Sequence, residues 1–91
     1  MIDRTARRVE RDCARVHLTP TEWNLLEALL RSPGRVVTQR TLLQEVWGPQ
    51  YVDEVAYLRA YVAQLRRKLE ASPALPRHLL TEPGVGYRFE P

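Results

Sequence analysis

Residues 57–70 read YLRAYVAQLRRKLE and combine the spacing of a packed helix with four basic side chains. At 100° per residue, four apolar positions fall within about 60° of one another and predict one buried face, made of Leu58, Val62, Leu65 and Leu69. The opposite face carries Ala56, Ala60, Ala63, Gln64 and Arg67, flanked by Arg59 and Arg66 on one side and by Tyr57 and Lys68 on the other. Periodicity alone leaves two interpretations open: a solvated basic face, or a surface that lies against a polyanion.

The segment LTPTEWNLLEALLRSPG, residues 18–34, predicts an earlier helix with clear ends. Thr19 and Glu22 have the spacing of a capping box, and Pro20 occupies the first helical position, where its missing N–H does no harm. Pro33 and Gly34 end the helix. Its apolar stripe comprises Leu25, Leu26, Ala28, Leu29 and Leu30.

A second helix follows in TQRTLLQEVWG, residues 38–48. Thr38 is its predicted N-cap, Gly48 and Pro49 end it, and its buried face consists of Leu42, Leu43, Val46 and Trp47. Residues 48–54 form a loop, and Asp53 is the candidate cap of the third helix, which we expect to run to about Ala71.

The two ends of the chain carry strand signals. Residues 1–18 show loose alternation and predict a short β segment, with a hairpin turning near residues 12–14. Residues 77–90 predict a second hairpin around a Pro-Gly turn. With three helices over residues 19–71, the chain of 91 residues is expected to form a single α+β domain. A short helix followed by a longer basic helix is a helix-turn-helix layout, and the terminal hairpin is its wing.

Composition narrows the class of function. The net charge is +3, and all but one of the 14 basic residues are Arg, the exception being Lys68. The lone Cys13 and the two histidines, His17 and His78, have no metal-ligand spacing, and no nucleophile–base grouping is evident, so we expect neither an enzyme nor a cofactor. Gly84-Val85-Gly86 lies in the hairpin and predicts a tight turn. Without an apolar run near 18 residues or a signal peptide pattern, a cytoplasmic location is expected.

In this order, LTPTEWNLLEALLRSPGRVVTQRTLLQEVWG, YLRAYVAQLRRKLE and TEPGVGYRF resemble the C-terminal winged-helix domain of OmpR/PhoB-type response regulators. Within this family, the motifs are most similar to those of the Kdp branch, regulators of potassium-uptake genes. The resemblance implies sequence-specific binding of double-stranded promoter DNA as the output of a two-component system. It also implies tandem half-sites, a homodimer in the full-length protein and contact with RNA polymerase.

The resemblance also implies a role for individual positions. Base contacts fall on Arg59, Ala60, Ala63 and Gln64, and phosphate contacts on Tyr57, Arg66 and Arg67. Thr81, Tyr87 and Arg88 are the expected contacts of the wing. The polymerase-facing loop contains Pro49, Gln50, Tyr51, Asp53 and Glu54. From its place on the helix, Lys68 is a further candidate for phosphate neutralisation.

Two departures from the family pattern bear on function. Many relatives place an Arg at the wing tip, whereas this chain has Pro83 preceded by Glu82. The receiver domain that usually precedes the winged helix is absent from these residues, and if the full protein is a response regulator, these residues are a fragment of it. The alternative function is a protein-binding winged helix, which would expose apolar residues on the third helix.

Overall fold

Three α-helices and two small antiparallel sheets make up the computed structural model, which describes residues 2–6 and 8–91. The helices are α1 (Pro20–Leu30), α2 (Gln39–Val46) and α3 (Val55–Leu69), with a 3-10 helix at Pro49–Tyr51 before α3. The strands are β1 (Ile2–Asp3), β2 (Arg8–Arg11), β3 (Ala14–Val16), β4 (Val37–Thr38), β5 (Leu79–Glu82) and β6 (Gly86–Phe89). The predicted α+β winged helix is confirmed.

The N-terminal sheet has the order β1-β2-β3. Val9 pairs with Val16 across β2 and β3, and the hairpin turns at Asp12 and Cys13, whose φ angles are 54° and 63°. The predicted turn near residues 12–14 is therefore confirmed. Strand β1 extends the predicted hairpin into a three-stranded sheet.

Side-chain caps begin the first two helices as expected. The Thr19 Oγ1 accepts from the Glu22 N–H at 3.2 Å, and the Glu22 carboxylate accepts from the Thr19 N–H at 2.9 Å. At α2 the Thr38 Oγ1 accepts from the Thr41 N–H at 3.1 Å. Both predicted caps are confirmed, and they fix the entry of the chain into each helix.

Both predicted ends of α3 are wrong. The residue that precedes the helix is Glu54, not Asp53, and it makes no side-chain capping bond. The 3-10 helix supplies a backbone link instead, because the Glu54 N–H donates to the Tyr51 carbonyl at 2.9 Å. At the other end α3 stops at Leu69, since Glu70 adopts an extended conformation with φ −91° and ψ 139°.

The wing belongs to a three-stranded sheet of order β4-β6-β5. Hairpin β5–β6 pairs Leu79 with Phe89, while the two-residue strand β4 pairs Val37 with Tyr87 on the other side of β6. Gly86 pairs with Thr38 of β4, and a Cβ there would be 2.0 Å from the Val37 carbonyl oxygen. The wing is thus anchored to the segment between α1 and α2.

The core lies where the three helices and both sheets meet. Its fully buried apolar residues include three of the five predicted positions on α1, two of the four on α2 and three of the four on α3: Leu25, Leu26, Leu29, Leu42, Leu43, Leu58, Val62 and Leu65. Leu69 is partly buried against this cluster. Packing of this face leaves the basic side of α3 directed outward.

In the described part of the chain, no helix is long and apolar enough to cross a membrane.

Candidate nucleic-acid interface

The outward face of α3 is polar and lightly built. Arg59, Ala60 and Arg67 are exposed, and Ala63 and Gln64 are half-buried beside them. The two alanines have short side chains and lie between long polar ones, so a partner can approach the helix backbone closely. Gln64 offers both a donor and an acceptor there. This arrangement fits the major groove of DNA, which presents donors and acceptors on base edges.

An aromatic cluster fixes the N-terminal end of α3 to the loop before it. The Tyr57 ring lies 5.5 Å from Trp47, 5.5 Å from Tyr61 and 6.3 Å from Tyr51, the last in a stacked geometry. Tyr57 nevertheless keeps 45% of its surface exposed. Its ring therefore supports the loop of residues 48–54 while one side remains open to a partner.

Arg66 connects α3 with the wing. Its Nε donates to the Leu79 carbonyl at 3.0 Å, and its Nη2 donates to Thr81 Oγ1 at 2.5 Å. The guanidinium carbon also lies 6.0 Å from the centre of the Tyr87 ring. Arg66 and Thr81, expected separately as DNA contacts, are thus adjacent at the junction of helix and wing.

Lys68 does not face outward with the other basic residues. Its Nζ lies 2.5 Å from the Glu22 carboxylate, and Glu22 is only 2% exposed. The prediction that Lys68 neutralises phosphate is not supported by this geometry, because its charge is already paired with a buried acid. The flank of α3 that carries Lys68 packs on the N-terminus of α1.

The wing offers fewer contacts than the sequence suggests. Tyr87 is 4% exposed and belongs to the core, so its predicted role as a DNA contact is not supported. Arg88 forms ion pairs with Glu82 and Glu90 on the same sheet. Thr81 is exposed, as are Pro83 and Val85 at the tip.

Glu70 is a functional candidate that the sequence did not indicate. Its side chain is 2% exposed, and its carboxylate accepts from the backbone N–H groups of Arg77 at 2.9 Å, His78 at 3.1 Å and Leu79 at 2.8 Å. On a helical projection Glu70 is simply the acidic residue at the far end of the helix. Its partners come from a segment seven to nine residues later, so helical spacing alone gives no signal.

Both buried carboxylates stay ionised because of their hydrogen bonds. Burial alone would raise the pKa of Glu70, but the N–H groups of Leu79, Arg77 and His78 outweigh it, so the pKa lies below the usual 4.5. For Glu22, burial likewise raises the pKa, and the bond from Lys68 and those from Thr19 bring it below the usual value. Both groups therefore contribute stability when ionised.

The sign of this linkage gives a pH prediction. The stabilisation from a carboxylate with a lowered folded-state pKa is fully present above its unfolded pKa, here the usual 4.5, and is lost as the pH falls through the folded value. We expect the free energy of unfolding from urea titrations to be constant near neutral pH and to decrease once the pH falls below the unfolded pKa of 4.5. Glu70→Gln should make the fall shallower; an unchanged pH profile in this variant would contradict the assignment.

Comparison with known proteins identifies the class of domain that carries this interface. Residues 13–89 match the family model described as "Transcriptional regulatory protein, C terminal". The chain belongs to this family. It is 58% identical over 89 residues to the transcriptional regulatory protein KdpE of Mycobacterium tuberculosis and 53% identical over 88 residues to KdpE of Escherichia coli. These alignments cover 98% and 97% of the chain but 39% of each relative.

Solved structures place this family member among OmpR/PhoB-type regulators. One is the response regulator DrrB of Thermotoga maritima, described as an OmpR/PhoB homologue. The match covers 99% of the present chain and 41% of the DrrB chain, with 34% identity and a TM-score of 0.78. Another is the RstA DNA-binding domain of Klebsiella pneumoniae, solved in complex with the RstA box. It matches with a TM-score of 0.85 at 25% identity, and the match covers 98% of the present chain and 88% of the RstA chain. The predicted winged-helix fold is thus confirmed, and the family is one of transcriptional regulatory domains rather than of enzymes.

Proposed function

We propose that the domain binds double-stranded DNA sequence-specifically, with α3 in the major groove and the wing on the flanking backbone. The observation that carries the proposal is the outward face of α3, where Arg59, Ala60, Ala63, Gln64 and Arg67 form one polar strip without large apolar side chains. A protein-binding helix would expose an apolar stripe at this place. The RstA domain solved on its DNA box has the same fold, which supports the proposal.

Each part of the interface has a distinct task in this proposal. Gln64 and Arg59 read base edges, with Ala60 and Ala63 allowing close approach. Arg67 and the exposed edge of Tyr57 contact phosphates, and Arg66 with Thr81 forms a further phosphate contact where helix meets wing. Arg88 has no charge to spare for the flanking backbone in this arrangement, because it is paired with Glu82 and Glu90. The loop with Pro49, Gln50, Tyr51, Asp53 and Glu54 is available for RNA polymerase.

The chain spans about 39% of the length of the KdpE proteins that it matches. We propose that it is the output domain of a longer response regulator that acts in the cytoplasm. In that protein, receiver-driven homodimerisation brings two copies onto tandem half-sites about one helical turn apart. An isolated domain would bind weakly, because the second copy then has no raised effective concentration.

Two substitutions on the same face of α3 test the proposal. Gln64→Ala should relax preference at one base pair at a cost of about 1–3 kcal/mol, because a bidentate base contact is lost. Arg67→Ala should weaken binding to all sequences about equally and reduce the salt slope by about 1. The measurement is fluorescence anisotropy at several salt concentrations, using a site selected from a random DNA pool and single-base variants of it.

The alternative, a protein-binding winged helix, makes an opposite prediction for the same titration. No sequence would be enriched from the random pool, and neither substitution would change affinity. That result would remove α3 as the reader of DNA. Loss of folding would not account for such a result, since the side chains of Gln64 and Arg67 lie outside the buried core.

A further inference from the structure

The last turn of α3 is bound to the start of the wing from two successive turns. Glu70 accepts the N–H groups of Arg77, His78 and Leu79 at 2.8 to 3.1 Å. One turn earlier, Arg66 donates to the Leu79 carbonyl at 3.0 Å. Leu79 is fully buried, so the first residue of β5 is held through both its N–H and its C=O by side chains of the α3 end.

The connecting segment itself adds little to this link. Residues 71–75 are exposed, and Leu75 at the end of this stretch has 76% of its surface open. The backbone of Glu70 is held independently, because Arg11 of the N-terminal sheet donates to its carbonyl at 2.5 Å. Beyond the anchoring of the wing through β4 and β6, the direct hydrogen bonds between α3 and β5 therefore come from side chains at the helix end rather than from the loop.

We propose that Glu70 is a positioning residue for DNA recognition, whose buried carboxylate sets the angle between α3 and the wing so that both reach one duplex. The role in recognition rests on the proposed DNA binding. A carboxylate suits it because three N–H donors converge on two acceptor oxygens. A glutamine would place its own N–H₂ against one of these donors and leave backbone groups unpaired at a buried site.

The chain offers a chemically matched control. Glu22 is also a carboxylate with 2% exposure that stabilises a helix end, but its partners are Thr19 and Lys68, and it makes no link between α3 and the wing. Glu22→Gln and Glu70→Gln are therefore the same chemical change at two buried sites. Both should lower stability, but only the second should alter the relation of helix and wing.

The first measurement requires no DNA. Residual dipolar couplings of backbone amides report the orientation of α3 relative to the β5–β6 hairpin in the folded protein. Glu70→Gln should rotate the hairpin relative to α3 by about 10° or more, which is the angular error at which a recognition site loses its productive geometry. Glu22→Gln should leave this orientation as in the wild type. If the orientation in Glu70→Gln is also unchanged, the proposal is overturned.

The second measurement is the ratio of affinities for a selected site and for random DNA, at a temperature where all variants are folded by circular dichroism. Glu70→Gln should lower this ratio at least about fivefold, because base contacts and wing contacts no longer fit together. Glu22→Gln should leave it unchanged, since a freed Lys68 can add only phosphate contacts, which carry no sequence information. Equal ratios in both variants would reduce Glu70 to a stabilising residue and overturn its role in recognition.

Two further outcomes keep the test decisive. If Glu70→Gln does not fold, Glu70→Asp retains the charge with a shorter reach and should show the same changes to a smaller extent; wild-type orientation and wild-type ratio in this variant would overturn the proposal. A wild-type domain that does not discriminate between DNA sequences would overturn the proposed function, and with it the role of Glu70 in recognition. The dipolar couplings alone would still decide whether Glu70 sets the wing.

Discussion

Gly86→Ala should destabilise the domain by about 3 kcal/mol, which lowers the Tm by more than about 10 °C at this chain length. A Cβ at Gly86 would lie 2.0 Å from the Val37 carbonyl oxygen and 2.8 Å from the Thr38 Cα. These are backbone atoms of β4 that pair directly with β6, so they cannot move aside without breaking the sheet. Thermal unfolding followed by circular dichroism measures the effect.

Gly84→Ala is the matched control, because the two glycines differ in what they require. Gly84 has a φ of +75°, and a Cβ added there would meet no atom within 4 Å, so alanine costs only the left-handed backbone, about 1 kcal/mol. Gly86 does not have a positive φ, so its effect comes from space alone. If Gly86→Ala lowered the stability no more than Gly84→Ala, the close pairing of β4 with β6 would not have the observed geometry.

Lys68→Met should lower the free energy of unfolding by about 2–3 kcal/mol at pH 7, because it leaves the Glu22 carboxylate buried without its cation. This loss lies at or below the lower end of the roughly 3–5 kcal/mol expected when a buried ion pair loses one partner, since the lysine side chain is 35% exposed. The difference from the wild type should shrink as the pH falls, because a protonated Glu22 no longer needs a partner. Urea titrations at neutral and acidic pH measure both effects.

The adjacent residue provides the control for this prediction. Arg67 is exposed on the outward face, so Arg67→Ala should leave the free energy of unfolding within about 0.5 kcal/mol of the wild type. Lys68→Met should show the opposite pattern, with lower stability and a salt slope for DNA binding close to that of the wild type. A salt slope lowered by Lys68→Met would restore the lysine to the phosphate-contacting surface.

What the sequence predicted correctly depends on local chemistry. The caps at Thr19 and Thr38 need partners only three residues away, and the apolar stripes of the helices follow from the 3.6-residue period. The turn at Asp12 and Cys13 likewise lies within a short hairpin. The order of the elements, three helices followed by a hairpin, came from the same local signals, and the resemblance to OmpR/PhoB regulators then added roles for individual positions.

What the sequence missed depends on packing between distant segments. A helical projection places Lys68 on a polar flank, but only the position of α1 shows that this flank meets Glu22, 46 residues earlier. The burial of Tyr87 comes from its place in the core cluster, which depends on a sheet whose strand β4 is too short to give a sequence pattern. Glu70 turns inward because the helix stops one residue before it.

The short strand β4 also has a consequence for how the chain acquires its structure. Val37 pairs with Tyr87, fifty residues later, so the second sheet closes a long loop whose entropic cost must be met before its hydrogen bonds form. The helices can form from local contacts, whereas this sheet depends on distant ones. The segment between α1 and α2 can therefore complete its sheet only once residues 86–89 have been synthesised, whereas the β5–β6 hairpin itself needs only neighbouring residues.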